Sequence, residues 1–138
     1  GLAGNYKGNI DEEVYERLID SQKVTGYEYV QSQMIRRELI HDYNTIFDEI
    51  DVLLVPTLPV LPTNIDQREV EINGKTVTVR YAFLKLTSPI NYTGNPALTI
   101  PASFSKSGLP IGVQLIGRHG EDEKVYQFGA QLEKQLNR

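Results

Sequence analysis

Few side chains in this sequence are spaced to hold or move a proton. It has two histidines, His41 and His119, so a multi-histidine metal centre is excluded, and both read most simply as solvated side chains. Cysteine is absent, which removes disulfides, thiolate catalysis and thiolate-bound zinc. Asp48, Glu49 and Asp51 form the densest acidic run. Paired carboxylates can do acid–base work, but this run closes a helical pattern and reads more simply as a solvated turn. The serines at 21, 32, 88, 103, 105 and 107 stand apart from one another, and there is no G-x-S-x-G elbow. Phosphate-cradling loops of the G-x-G-x-x-G and G-x-x-x-x-G-K-[ST] types are also missing. The most unusual stretch is Asn91-Tyr92-Thr93-Gly94-Asn95-Pro96, which packs turn formers just ahead of an apolar run. Such a loop either aims the following strand or shapes a pocket at the strand's end.

The elements that must position these groups follow from hydrophobic spacing. Residues 1–8 read as a loose lead-in. A first helix through Asp20, capped by Asn9 or Asp11, would turn Val14, Leu18 and Ile19 inward. From Tyr27 to Asp48, apolar residues recur every three or four positions, which predicts a long helix with His41 on its polar side. Val52–Val55, closed by Pro56, fits a short strand buried on both faces. Alternation on either side of Asn73-Gly74 predicts a hairpin spanning residues 69–80, with Val70 and Ile72 facing Val77 and Val79. Tyr81–Asn91 suits a short helix interrupted or ended by Pro89. Strands are expected at 97–100 and 111–116, joined by the polar turn Ser105–Gly108. A last helix from Glu121 would bury Val125, Phe128, Leu132 and Leu136 and carry Lys134 and Arg138 at its far end.

The 138 residues suit one α/β domain of helices layered on a sheet. Three apolar strands with so few helices look like part of a larger sheet. The chain opens on glycine without an initiator methionine, as a processed or excised chain would. A net charge of −4 gives no electrostatic reason to expect nucleic acid. No apolar run approaches the roughly 20 residues of a membrane helix. The lack of cysteine fits a cytoplasmic protein.

At the 91–96 loop the sequence resembles a known family. Asn91-Tyr92-Thr93-Gly94-Asn95-Pro96-Ala97 through Pro101-Ala102 is similar to the N-x-T-G-x-P-A-x-x-x-P-A segment of the amidase signature enzymes. Gly108-Leu109-Pro110-Ile111-Gly112-Val113-Gln114-Leu115-Ile116-Gly117-Arg118 resembles their G-L-P-x-G-x-Q-x-I-G-R segment. Asp51–Thr57 resembles their D-x-L-L-x-P-T strand, and Tyr29 and Arg36 fit their Y-x-x-x-x-x-x-R helix. Three motifs in the family's order cover most of the chain.

The resemblance implies that residues 1–138 are the C-terminal portion of an amidase domain: a partial mixed sheet with covering helices and one β-hairpin. The family cuts carboxylic amides with a Ser–Ser–Lys triad that lies upstream of the matched region. No residue here takes a catalytic role, and neither cofactor nor metal is implied. The implied partners are the upstream part of the domain and, in the intact enzyme, a small amide. The segment matching Tyr81–Asn91 lies near the substrate in the family, which makes Leu84, Thr87 and Asn91 candidates for the pocket wall. In the glutamine-using member of the family, which belongs to glutamyl-tRNA(Gln) amidotransferase, an acidic residue occupies the place of Leu84. The sequence departs from that pattern. Amide hydrolysis is the leading reading. Transamidation and a non-catalytic, stand-alone binding module are the alternatives. Apolar strands cut from their neighbours are further expected to make the chain self-associate.

Overall fold

The computed structural model describes residues 8–136, so the lead-in up to residue 7 and the end of the last helix at Arg138 lie outside the described residues. The chain divides into two compact units, one up to Glu38 and one from Leu39 onward.

The first unit holds α1 (Glu12–Ser21) and most of α2 (Gly26–Ile46). Asp11, the second of the two expected caps, accepts the Glu13 amide at 3.0 Å, and Glu12 and Glu13 face the positive end of the helix. A reciprocal cap starts α2: Thr25 Oγ1 accepts the Glu28 amide, and the Glu28 carboxylate accepts both the Thr25 amide and the Thr25 hydroxyl. The two bonds that the carboxylate accepts, from the amide first and then the hydroxyl, hold the Glu28 pKa below its ordinary value. Neither helix has a buried residue within this chain. The expected inner residues Val14 and Leu18 are exposed, as are Tyr27, Val30, Met34 and Ile35 along the α2 stripe.

In the second unit, β1 (Val52–Pro56), β4 (Ala97–Phe104) and β5 (Pro110–Gly117) form a sheet in the order β1-β5-β4. Both pairings are antiparallel, so the described part of the expected mixed sheet contains no parallel pair. Each face of the central strand takes its own cover. Ile116 packs with Phe47 and Ile90, supported by Tyr43, Leu53 and Val55. Leu115, one residue earlier and therefore on the opposite face, packs with Ile100 and Val125, supported by Leu98, Val113, Phe128 and Leu132. The second cover comes from α5 (Asp122–Leu136), whose predicted stripe is buried at Val125 and open at Leu136. Cover is incomplete: Leu54 on β1 keeps 51% of its surface exposed, although the sequence predicts burial on both faces there.

Proline, used above to end strands, does not end these. β1 includes Pro56, and β4 runs through Pro101 to Phe104 with a register shift between Pro101 and Ser103. Both strands lie at an edge of this sheet, where a missing N–H is tolerated, and a bulge absorbs the misfit.

The hairpin of β2 (Glu69–Ile72) and β3 (Lys75–Thr78) turns at Asn73-Gly74 as predicted, with φ of 52° and 74° at the two central residues. Val70 pairs with Val77, but Val79 does not continue the strand. The Thr78 hydroxyl accepts the Tyr81 amide at 3.2 Å and starts α3 (Val79–Leu84). The single short helix expected at 81–91 is therefore two, α3 and α4 (Ser88–Thr93). Pro89 sits in the first turn of α4, where its lost N–H costs nothing, so it opens a helix instead of closing one.

Candidate functional site

An open concavity lies along α3 and α4. In a helix, residues three and four apart share a face. Tyr81 and Leu84 fall together on α3, with Lys85 at its C-cap, and Ser88, Asn91 and Tyr92 fall together on α4. With Leu39 and Pro89 they line an open groove of about 840 Å³. That volume is in the range of small-molecule sites, and the lining is mostly apolar with a few polar groups, as such sites require. Lys85 is its one charged side chain, with Nζ 5.8 Å from the centre of the Tyr81 ring.

Two of the three predicted wall residues, Leu84 and Asn91, line this groove. Thr87 does not. Its hydroxyl turns back to donate to the Phe83 carbonyl at 3.1 Å, so it shapes the link between the two helices. Leu39, Tyr81, Lys85, Ser88 and Tyr92 also line the groove, and the sequence reading does not single them out. The period-3.6 spacing of 81, 84, 85 and 88 is the available signal.

The wall is held from below by residues of the recognised motifs. Thr93 is buried and donates to the Pro89 and Ile90 carbonyls, which closes α4. Gly94 then takes φ of 82° and donates its amide to Ile90 at 2.9 Å. A Cβ there would lie 3.5 Å from His119 Nε2, which puts the exposed His119 ring against the loop. Asn95 Nδ2 donates to the Gly117 carbonyl at 2.9 Å, while the Gly117 amide donates to the Pro96 carbonyl at 2.9 Å. Gln114, 3% exposed, places its amide nitrogen 3.2 Å from the Leu86 carbonyl and 3.4 Å from that of Pro56. One buried side chain thus ties the α3–α4 link to β1.

Two members of the acidic run, Asp48 and Asp51, pair with cations of the fold. Arg118 donates to the Phe47 carbonyl and to Asp48 Oδ1, each at 2.6 Å, and so satisfies the end of α2. Lys124 lies 2.9 Å from Glu121 and 3.5 Å from Asp51, and the bond to Glu121 raises its pKa above the ordinary lysine value. Cations from β5's end and α5 therefore offset the carboxylates that oppose the α2 dipole. Ser105 and Ser107 bond each other at 2.9 Å in the β4–β5 turn, and Ser21 donates to the Leu18 carbonyl. Among the described residues no three His, Asp or Glu side chains come within reach of one metal ion. No described helix is long and apolar enough to cross a membrane.

Comparison with known proteins decides the family. The family model described as Amidase matches residues 3–126. This chain belongs to the amidase family. It is 31% identical over 113 residues to a fatty acid amide hydrolase of Medicago truncatula, covering 82% of this chain and 19% of that protein. A glutamyl-tRNA(Gln) amidotransferase component from Streptococcus pneumoniae is 37% identical over 105 residues, covering 76% of this chain and 20% of that protein. A crystal structure of an amidase superposes with a TM-score of 0.88 at 29% identity, over 96% of this chain and 30% of the amidase. The chain thus spans about a fifth of the length of these curated relatives. The recognition drawn from the three motifs and the partial α/β amidase fold are both supported.

Proposed function

We propose that this amidase-family chain is the C-terminal portion of a cytoplasmic enzyme that hydrolyses carboxylic amides by a Ser–Ser–Lys mechanism. In this reading it supplies sheet strands and one wall of the acyl pocket. Leu84 and Asn91 face the substrate, and Thr87 sets the angle between α3 and α4. The carrying observation is the groove, because it forms on the segment that the resemblance places beside the substrate. The triad lies upstream, so the chain alone turns over no amide, and no cofactor is required.

Transamidation is the rival reading, since an amidotransferase component is among the relatives. Leu84 argues against it: 42% exposed on the groove, it offers no charge to the amino group of glutamine. The amidase family model, matched over residues 3–126, favours the enzyme reading over a stand-alone binding module. The test compares this chain with a polypeptide that also carries the upstream domain, on a panel of aliphatic and aryl amides and on glutamine. Turnover of the amides by the longer polypeptide, with none by the chain alone, is the expected result. Ammonia release confined to glutamine would favour transamidation. Turnover by the chain alone would overturn the proposal.

A further inference from the structure

We infer that Lys85 makes the groove selective for amides whose acyl part is apolar and ends in an anionic group. The inference rests on the reading of the groove as the acyl wall and goes beyond it by naming a specificity residue and the charge it selects. Tyr81, Leu84 and Pro89 give the groove an apolar floor, and Ser88 and Asn91 are neutral. Lys85 is exposed on this lining, one turn after Tyr81. Its ammonium sits over the Tyr81 ring at 5.8 Å, held by a contact that leaves its hydrogen-bond donors open to a ligand. Among the described residues it has no carboxylate partner, and of the exposed lysines that lack one it alone lines the groove. A carboxylate at the far end of an apolar acyl chain supplies the missing partner while its methylenes cover Leu84 and the tyrosine ring. A lysine also suits the C-terminal end of a helix for electrostatic reasons, but that role would not discriminate between ligands.

The test uses hexanamide and adipamate, which share an acyl length and differ by one terminal carboxylate. Each is titrated into the ¹⁵N-labelled polypeptide that carries both this chain and its upstream domain, with the backbone amides of Leu84, Lys85, Asn91 and Tyr92 as reporters. Adipamate should bind about fivefold more tightly, the scale of a partly exposed ion pair. The preference should shrink as salt is raised, vanish in Lys85→Met and persist in Lys85→Arg. Equal affinities at the reporters, or a preference that survives Lys85→Met or high salt, would overturn the inference and leave the acyl-wall reading standing. Failure of both ligands to shift the reporters would overturn both. The salt series needs no variant, so it decides the matter even where a substitution disturbs folding.

Discussion

Replacing Gly117 with alanine tests how tightly the groove's support is packed. A Cβ on Gly117 would lie 2.4 Å from Val125 Cγ2, 3.5 Å from Pro96 Cγ and 3.7 Å from the Glu121 carbonyl oxygen. Carbon atoms prefer about 3.5–4.0 Å, so the first contact is a severe overlap. Val125 cannot swing away, because it is 2% exposed and a β-branched residue in a helix has one strongly preferred rotamer. Forced overpacking of this kind costs about 1–3 kcal/mol. Val125→Ala alone should cost about 2 kcal/mol, from two buried methyl groups and the cavity they leave. In that background the overlapping atom is gone, and Gly117→Ala should become nearly neutral. Urea unfolding followed by circular dichroism would show each single variant with its midpoint lowered by about 1 M or more. The double variant should match Val125→Ala alone. Additive losses, or a neutral Gly117→Ala in the parent sequence, would refute the argument that α5 is seated on β5 through this glycine.

Further expectations concern the hairpin, a helix cap and association. Gly74→Val forces a β-branched residue to φ of 74° and should cost about 1 kcal/mol or more, with lost amide protection over β2 and β3 as the readout. Hydrogen bonds from Thr25 depress the Glu28 pKa, so Glu28 contributes stability at neutral pH that is lost as pH falls through its lowered value. Acidification should therefore fray the start of α2, and Glu28→Ala should remove that part of the pH dependence, as read from the amide exchange of residues 26–29. The exposed stripe of Tyr27, Val30, Met34 and Ile35 should drive self-association, seen in light scattering as a mass that rises with concentration. A monomer at every concentration would refute this.

Much of the fold is legible because its signals are local. Asn73-Gly74 specifies a turn by its own φ preferences, and α5 shows its buried face through Val125, Phe128 and Leu132. Boundaries fail where a side chain outside the pattern decides them. Thr78 ends the hairpin by capping α3, and Pro89 opens a helix because Thr87 and Ser88 place it in a first turn. The Thr25–Glu28 cap is present in the sequence as a T-x-x-E spacing, but the apolar stripe that sets the α2 boundary starts two residues after Thr25, at Tyr27. The candidate groove is legible in part: the family motif points to Leu84 and Asn91 on its lining, while Lys85 and Tyr81 need the helix geometry. The roles of Gln114 and Arg118 depend on contacts 28 to 71 residues away in sequence, which periodicity cannot show.

The claim that this chain is pocket wall without a nucleophile can be tested by labelling. A serine-directed fluorophosphonate would be reacted with a polypeptide that carries both this chain and its upstream domain, and the modified peptide identified by mass spectrometry. The account predicts a label on a serine outside residues 1–138, with labelling slowed by an amide that fills the groove. A stoichiometric label on Ser88, or on any other serine within this chain, would contradict it.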